Sequence, residues 1–217
     1  MKALDKHASV LRQVRKKRGY VLSYHRLLHD LDPELLATYD AFYTRLTLVS
    51  RVLNPVEKET VWIALIAATR ARPSGIIHMK RATKAGMSKD AIADAMALAA
   101  ACESLDAYSF SRDAFSDGAD EARLVKRYLR AFDAARGRTR PVLAEIAAVV
   151  AHAGRRSAAG MRIHLVRAFK HGAKREQLAE ALSFALLLCA GPTMLDAMDC
   201  WIRTAKTARI PAPFSKA

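Results

Sequence analysis

Residues Pro55–Ala99 recur, without a gap, 86 positions later as Pro141–Ala185, and fourteen of the 45 aligned pairs are identical. The identical pairs include Pro55/Pro141, Glu59/Glu145, Arg70/Arg156, His78/His164, Arg81/Arg167 and Gly86/Gly172. Other pairs keep their chemistry, such as Asp90/Glu176, Ile92/Leu178 and Asp94/Glu180, and upstream Tyr39 and Tyr43 pair with Tyr128 and Phe132. Recurrence over that length means tandem duplication, and it restricts the fold to one unit built twice. The expected organisation is a basic N-terminal arm (1–31), a first repeat (32–115) and a second (118–210), with the repeats packed as a pseudo-dimer in one compact body.

Each repeat reads as helices. Asn54-Pro55-Val56-Glu57 supplies an N-cap, Pro at the first helical position and an acid at the third, opening a helix expected to run to about residue 72. A second helix carries His78 and stops at Gly86, a residue that tolerates the left-handed conformation after a helix end. Ser88 caps a third helix over 89–101, with Ile92, Ala95, Met96 and Ala99 as its apolar stripe. Abundant Ala with only 9 Gly and 7 Pro favours helix throughout. No alternating strand pattern stands out, so the fold class is all-α.

The net charge of +15 is concentrated in two places. Residues 1–30 hold eight basic against two acidic side chains, and residues 136–175 hold ten against Glu145 alone. Such patches attract anions, whether nucleic acid, acidic lipid or small carboxylates. The three cysteines, Cys102, Cys189 and Cys200, form no Cys-x-x-Cys and suit a reducing cytosol as small buried hydrophobes. The basic start is followed by no apolar signal core, and "ALSFALLLCAG" is too short to span a bilayer. A cytoplasmic protein without a membrane partner is the expectation.

The repeated polar residues are the candidate chemistry. His78 and Arg81 are i, i+3 neighbours on a helix, as are His164 and Arg167. Glu59 and Arg70 share a stripe, as do Glu145 and Arg156; His152 joins the second stripe where the first has Ile66. A carboxylate can orient an imidazole as a general base or acid, and guanidiniums can hold a substrate carboxylate. The candidate catalytic residues are therefore His164, Glu145, His78 and Glu59, with Arg156, Arg167, Arg70, Arg81 and His152 for binding. Straight antiparallel helices turning near 71–74 would leave Glu59 and His78 apart by roughly 10 Å along the axis. A direct pair then needs crossed helices or a partner from elsewhere. Glu145, His152 and His164 hold the residue types of a 2-His-1-carboxylate site, but their spacing is not a tight ligand motif and no metal is expected.

The order Glu, turn, His, then R-A-x-K-x-G and an acid-bearing helix resembles the carboxymuconolactone decarboxylase / alkylhydroperoxidase D-like family across both repeats. The resemblance places Glu59, His78, Glu145 and His164 at the family's Glu and His positions. The peroxidase branch's two Cys positions hold Ala71 and Ser74 in one repeat, Ser157 and Gly160 in the other. Thiol peroxide reduction needs that dithiol, so it is not expected. The second repeat is more similar to the decarboxylase branch, through "GMRIHLVRAFKHGA" and "LLLCAGPTMLDAM". The resemblance implies a cofactor-free acid/base enzyme of lyase or decarboxylase type acting on a small anionic carboxylate or lactone, assembled as a homo-oligomer, a dimer or trimer. Two other readings stand beside it: a non-catalytic scaffold, and a basic protein binding anions or nucleic acid.

Overall fold

A computed structural model describes residues 2–114 and 120–214, and every regular element among them is helical. The chain forms two compact units, Met1–Val49 and Ser50–Ala217. The first unit contains α1 (Lys2–Arg18), α2 (Ser23–Leu31) and α3 (Pro33–Tyr43), closed by a π-helical turn at Thr44–Leu48. The second contains α4 (Pro55–Thr69), α5 (Arg72–Lys84), α6 (Lys89–Ala114), α7 (Glu121–Ala135), α8 (Pro141–Gly154), α9 (Ala158–Lys170), α10 (Arg175–Ser183), α11 (Ala185–Leu188) and α12 (Ala190–Ala208). No described helix is long and apolar enough to cross a membrane.

Within Met1–Val49 the buried Arg18 organises the packing. Its guanidinium lies 3.7 Å over the Tyr43 ring and donates from Nε to Asp40 Oδ1 at 2.9 Å. Asp40 also accepts from Lys17 at 2.7 Å. Two of the basic residues counted in the N-terminal patch are thus tied to an acid inside this unit.

In Ser50–Ala217 the duplicated helices α4 and α8 pack against each other. Both are buried over nearly all their length, which Ala-rich faces permit by letting helix axes approach closely. The Asn54 cap forms as its sequence indicates: Oδ1 accepts from Glu57 N, and Glu57 Oε2 accepts from Asn54 N, both at 3.0 Å. Ser88 Oγ accepts from Ala91 N at 3.1 Å, and Gly86 takes φ +90.

Three local expectations change. Helix α4 stops at Thr69, not near 72, because Arg70 turns left-handed (φ 56); Arg156 does the same after α8. The recurrence of this Arg therefore marks a shared backbone turn. Helix α6 runs on past residue 101 to Ala114. Met96 is exposed, and Leu98 and Cys102 take the buried side with Ile92, Ala95 and Ala99. At 100° per residue Met96 lies roughly 100° from the centre of that buried face.

The repeated acids Asp94 and Glu180 join the repeats reciprocally. Glu180, on α10, accepts from the backbone N–H groups of Val52 and Leu53 at 2.6 and 2.8 Å, just before α4. Asp94, on α6, accepts from Arg138 N at 2.9 Å, just before α8. Each repeat's acid thus satisfies the loop leading into the other repeat's Glu-bearing helix, which is the packing of a pseudo-dimer.

Candidate active site

Both expected Glu–His pairs form directly, each within its own repeat. Glu59 Oε2 lies 2.7 Å from His78 Nδ1, and Glu145 Oε2 lies 2.6 Å from His164 Nδ1. The axial mismatch expected from straight helices shrinks because the turn comes early. With α4 ending at Thr69 and α5 beginning at Arg72, roughly 6 Å remains for helix crossing and side-chain reach to close, not roughly 10 Å.

The two sites differ in their surroundings. In the first repeat Trp62 covers His78, with ring centroids 4.5 Å apart, and Trp62 stacks in turn on Phe184. The second repeat has Ala148 in the place of Trp62. Tyr128 from α7 and His152 from α8 occupy the site instead. His152 stacks on His164 at 5.2 Å. The Tyr128 hydroxyl bonds His152 Nε2 at 3.0 Å and makes a short hydrogen bond to His164 Nε2. On the other side, Arg167 Nε donates to Glu145 Oε1 at 2.7 Å and its Nη2 donates to Asp133 Oδ1 at 2.5 Å.

Burial lowers the pKa of His164 despite the opposing pull of Glu145, and lowers that of His78 in the same way. Burial, then the neighbouring His164, takes His152 down to about 3. The imidazoles are therefore neutral at neutral pH, which orders the protons. His164 donates Nδ1–H to Glu145, so its Nε2 accepts from the Tyr128 O–H. The Tyr128 oxygen then accepts from His152 Nε2–H, leaving His152 Nδ1 without a hydrogen-bond partner. The result is a continuous chain His152–Tyr128–His164–Glu145–Arg167.

A small cleft lined by His152, Arg156, Ser157, Met161, Asp196 and Cys200 adjoins the His152 end. Arg156 is ion-paired there with Asp196 at 2.6 Å. Of the four candidate binding arginines, only Arg156 lines this cleft. Arg70 is exposed and paired with Glu103 at 2.9 Å. Arg81 sits close enough to His78 to depress its pKa, and Arg167 holds Glu145 in place.

The sequence profile of the Carboxymuconolactone decarboxylase family matches residues 33–117 and again residues 120–202. The chain belongs to that family. Its fold is also similar to the crystal structure of a candidate gamma-carboxymuconolactone decarboxylase subunit from Burkholderia xenovorans LB400. The TM-score is 0.64 at 16% identity, covering 88% of this chain and 94% of the other. No curated protein sequence matches the chain.

The glycine at position 160 also explains the place of His152. A Cβ at Gly160 would overlap the His152 ring at Nδ1 and Cε1. The imidazole thus fills space that the missing side chain vacates. Gly160→Ala is expected to destabilise the protein by about 1–3 kcal/mol through overpacking. In the Gly160→Ala/His152→Ala double variant most of that loss should return. Urea denaturation of the four proteins measures the coupling, and additive losses would contradict the packing.

Tyr128 and Cys102 were not among the sequence candidates. Tyr128 was visible only as the partner of Tyr39 in the repeat, and Cys102 only as an apolar thiol. Cys102 is indeed buried, which pushes its thiol up to about 12, but it lies against the Tyr128 hydroxyl. Glu145 does not join His152 and His164 as a carboxylate ligand set: its two oxygens go to His164 and Arg167.

Proposed function

We propose that the protein is an acid/base enzyme of lyase or decarboxylase type, needing no cofactor and acting at its second repeat on a small anionic carboxylate or lactone. The observation that carries this reading is the unbroken hydrogen-bond chain from His152, beside the cleft, to the buried Glu145. A neutral His164 backed by a carboxylate can take a proton through Tyr128 as the ion pair Glu145⁻–His164⁺ forms, and can return it to a carbon centre. Arg156 would exchange Asp196 for the substrate carboxylate. Thiol peroxidase chemistry is not proposed, since Ser157 and Gly160 occupy the dithiol positions.

A thermal-shift screen of mono-, di- and tricarboxylates and lactone acids tests the reading, with short DNA and RNA at two salt concentrations in parallel. A true ligand at a hundred times its Kd stabilises by about 2.7 kcal/mol, a shift of several degrees. The expected hit is one small acid whose effect survives salt and weakens in Arg156→Gln. A response to nucleic acid alone, abolished by salt, would reject the enzyme reading and move function to the basic surface.

A further inference from the structure

We infer that Cys102, His152 and His164 form a binding site for a borderline or soft transition-metal ion of the zinc class. The three residues come from α6, α8 and α9, all are buried, and their ligating atoms lie within 4.8 Å of one another. One sulfur and two imidazole nitrogens are the donors that such ions take, whereas magnesium and calcium require oxygen. In a tetrahedral zinc site, bonds of about 2.0–2.3 Å put neighbouring donors roughly 3.3–3.7 Å apart. The cluster must therefore close by roughly 1 Å, within the reach of side-chain torsions.

The surrounding groups suit a metal as well. Glu145 on His164 Nδ1 (2.6 Å) directs Nε2 inward, as outer-shell carboxylates do for zinc-bound histidines. His152 can expose its Nε2 lone pair by moving its proton to Nδ1, which has no hydrogen-bond partner to lose. Tyr128, whose hydroxyl bridges the two imidazoles, either becomes the fourth ligand or turns aside for water. Binding breaks the Cys102 S–H bond and forms a metal–thiolate bond; the proton leaves to solvent, and no oxidant or reductant is required. A metal here takes the His164 lone pair that the proposed proton chain uses, so the loaded protein would not run that chain. The site itself goes beyond the enzymatic reading and stands without it.

Cobalt(II) titration of the chelator-treated full chain tests the site with a spectrum and not with turnover. One Co²⁺ per chain is expected, with tetrahedral visible bands and a near-ultraviolet thiolate-to-cobalt charge-transfer band, both displaced by Zn²⁺. Cys102→Ser should abolish the charge-transfer band, His152→Gln should weaken binding about tenfold or more, and Cys189→Ala/Cys200→Ala should leave both unchanged. Absence of stoichiometric uptake overturns the proposal, as does a charge-transfer band that survives Cys102→Ser or vanishes in the Cys189/Cys200 variant. X-ray absorption of the zinc-loaded wild type gives an answer even where a variant fails to fold. One sulfur at about 2.3 Å with two imidazoles is expected, and an all-oxygen shell would reject the site.

Discussion

Replacing His164 with Ala should lower turnover of the acid identified by ligand screening by about 10²–10⁴-fold, the range supplied by one positioned general acid or base. The deletion removes the link between Tyr128 and Glu145, so a proton arriving at the phenol has no imidazole to move to. His78→Ala should have a much smaller effect, because Trp62 covers that imidazole and Tyr128 and His152 belong to the second site. The pH profile provides a further check. Burial holds His164 below the ordinary imidazole pKa of 6.5, so the acid limb of kcat should lie below that value. On that limb protonation removes the base, and activity falls as pH falls. Unchanged turnover in His164→Ala would exclude the mechanism.

Arg167→Met should cost about 3 kcal/mol of stability. The Glu145 carboxylate is only 1% exposed and has two anchors, Arg167 Nε and His164 Nδ1. The imidazole is neutral, so removing the guanidinium takes away the formal positive charge paired with a buried anion. Breaking a buried ion pair by deleting one partner costs about 3–5 kcal/mol. The lower end applies because the Arg167 side chain is 21% exposed and water can reach part of the vacated space. Asp133→Ala is the matched control: it removes a bond to the same guanidinium from an acid 47% exposed, and should cost less than about 1 kcal/mol. Urea denaturation measures both, and losses of equal size would show that Arg167 does not act through Glu145.

Much of the architecture could be read from the chain because duplication and helix signals are local or self-referential. Asn54 with Glu57, Ser88 and Gly86 act through bonds or backbone angles within a few residues, so their types and spacing indicate the helix ends. The recurrence of Glu59/His78 as Glu145/His164 singles out the four residues that the fold brings together in two hydrogen-bonded pairs. Recurrence alone could not separate function from backbone need. Arg70 and Arg156 recur as strictly as the histidines, yet both mark a left-handed turn after a helix.

The difference between the two sites became visible only in three dimensions. Tyr128 lies 36 residues from His164 in the chain, and Cys102, His152 and His164 come from three helices. Their meeting depends on how α6, α7, α8 and α9 pack, which no single-helix periodicity encodes. The exchange of Trp62 for Ala148, and the Gly160 that admits the His152 ring, are ordinary residues in sequence. They matter because a close-packed interior gives each vacated volume to whichever neighbour can fill it. The sequence by itself determined a duplicated helical unit with a Glu and a His recurring in each half. Tertiary packing decided that one pair is capped by tryptophan and the other opens onto a chain of tyrosine and histidine, because that choice depends on which side chains meet across helices.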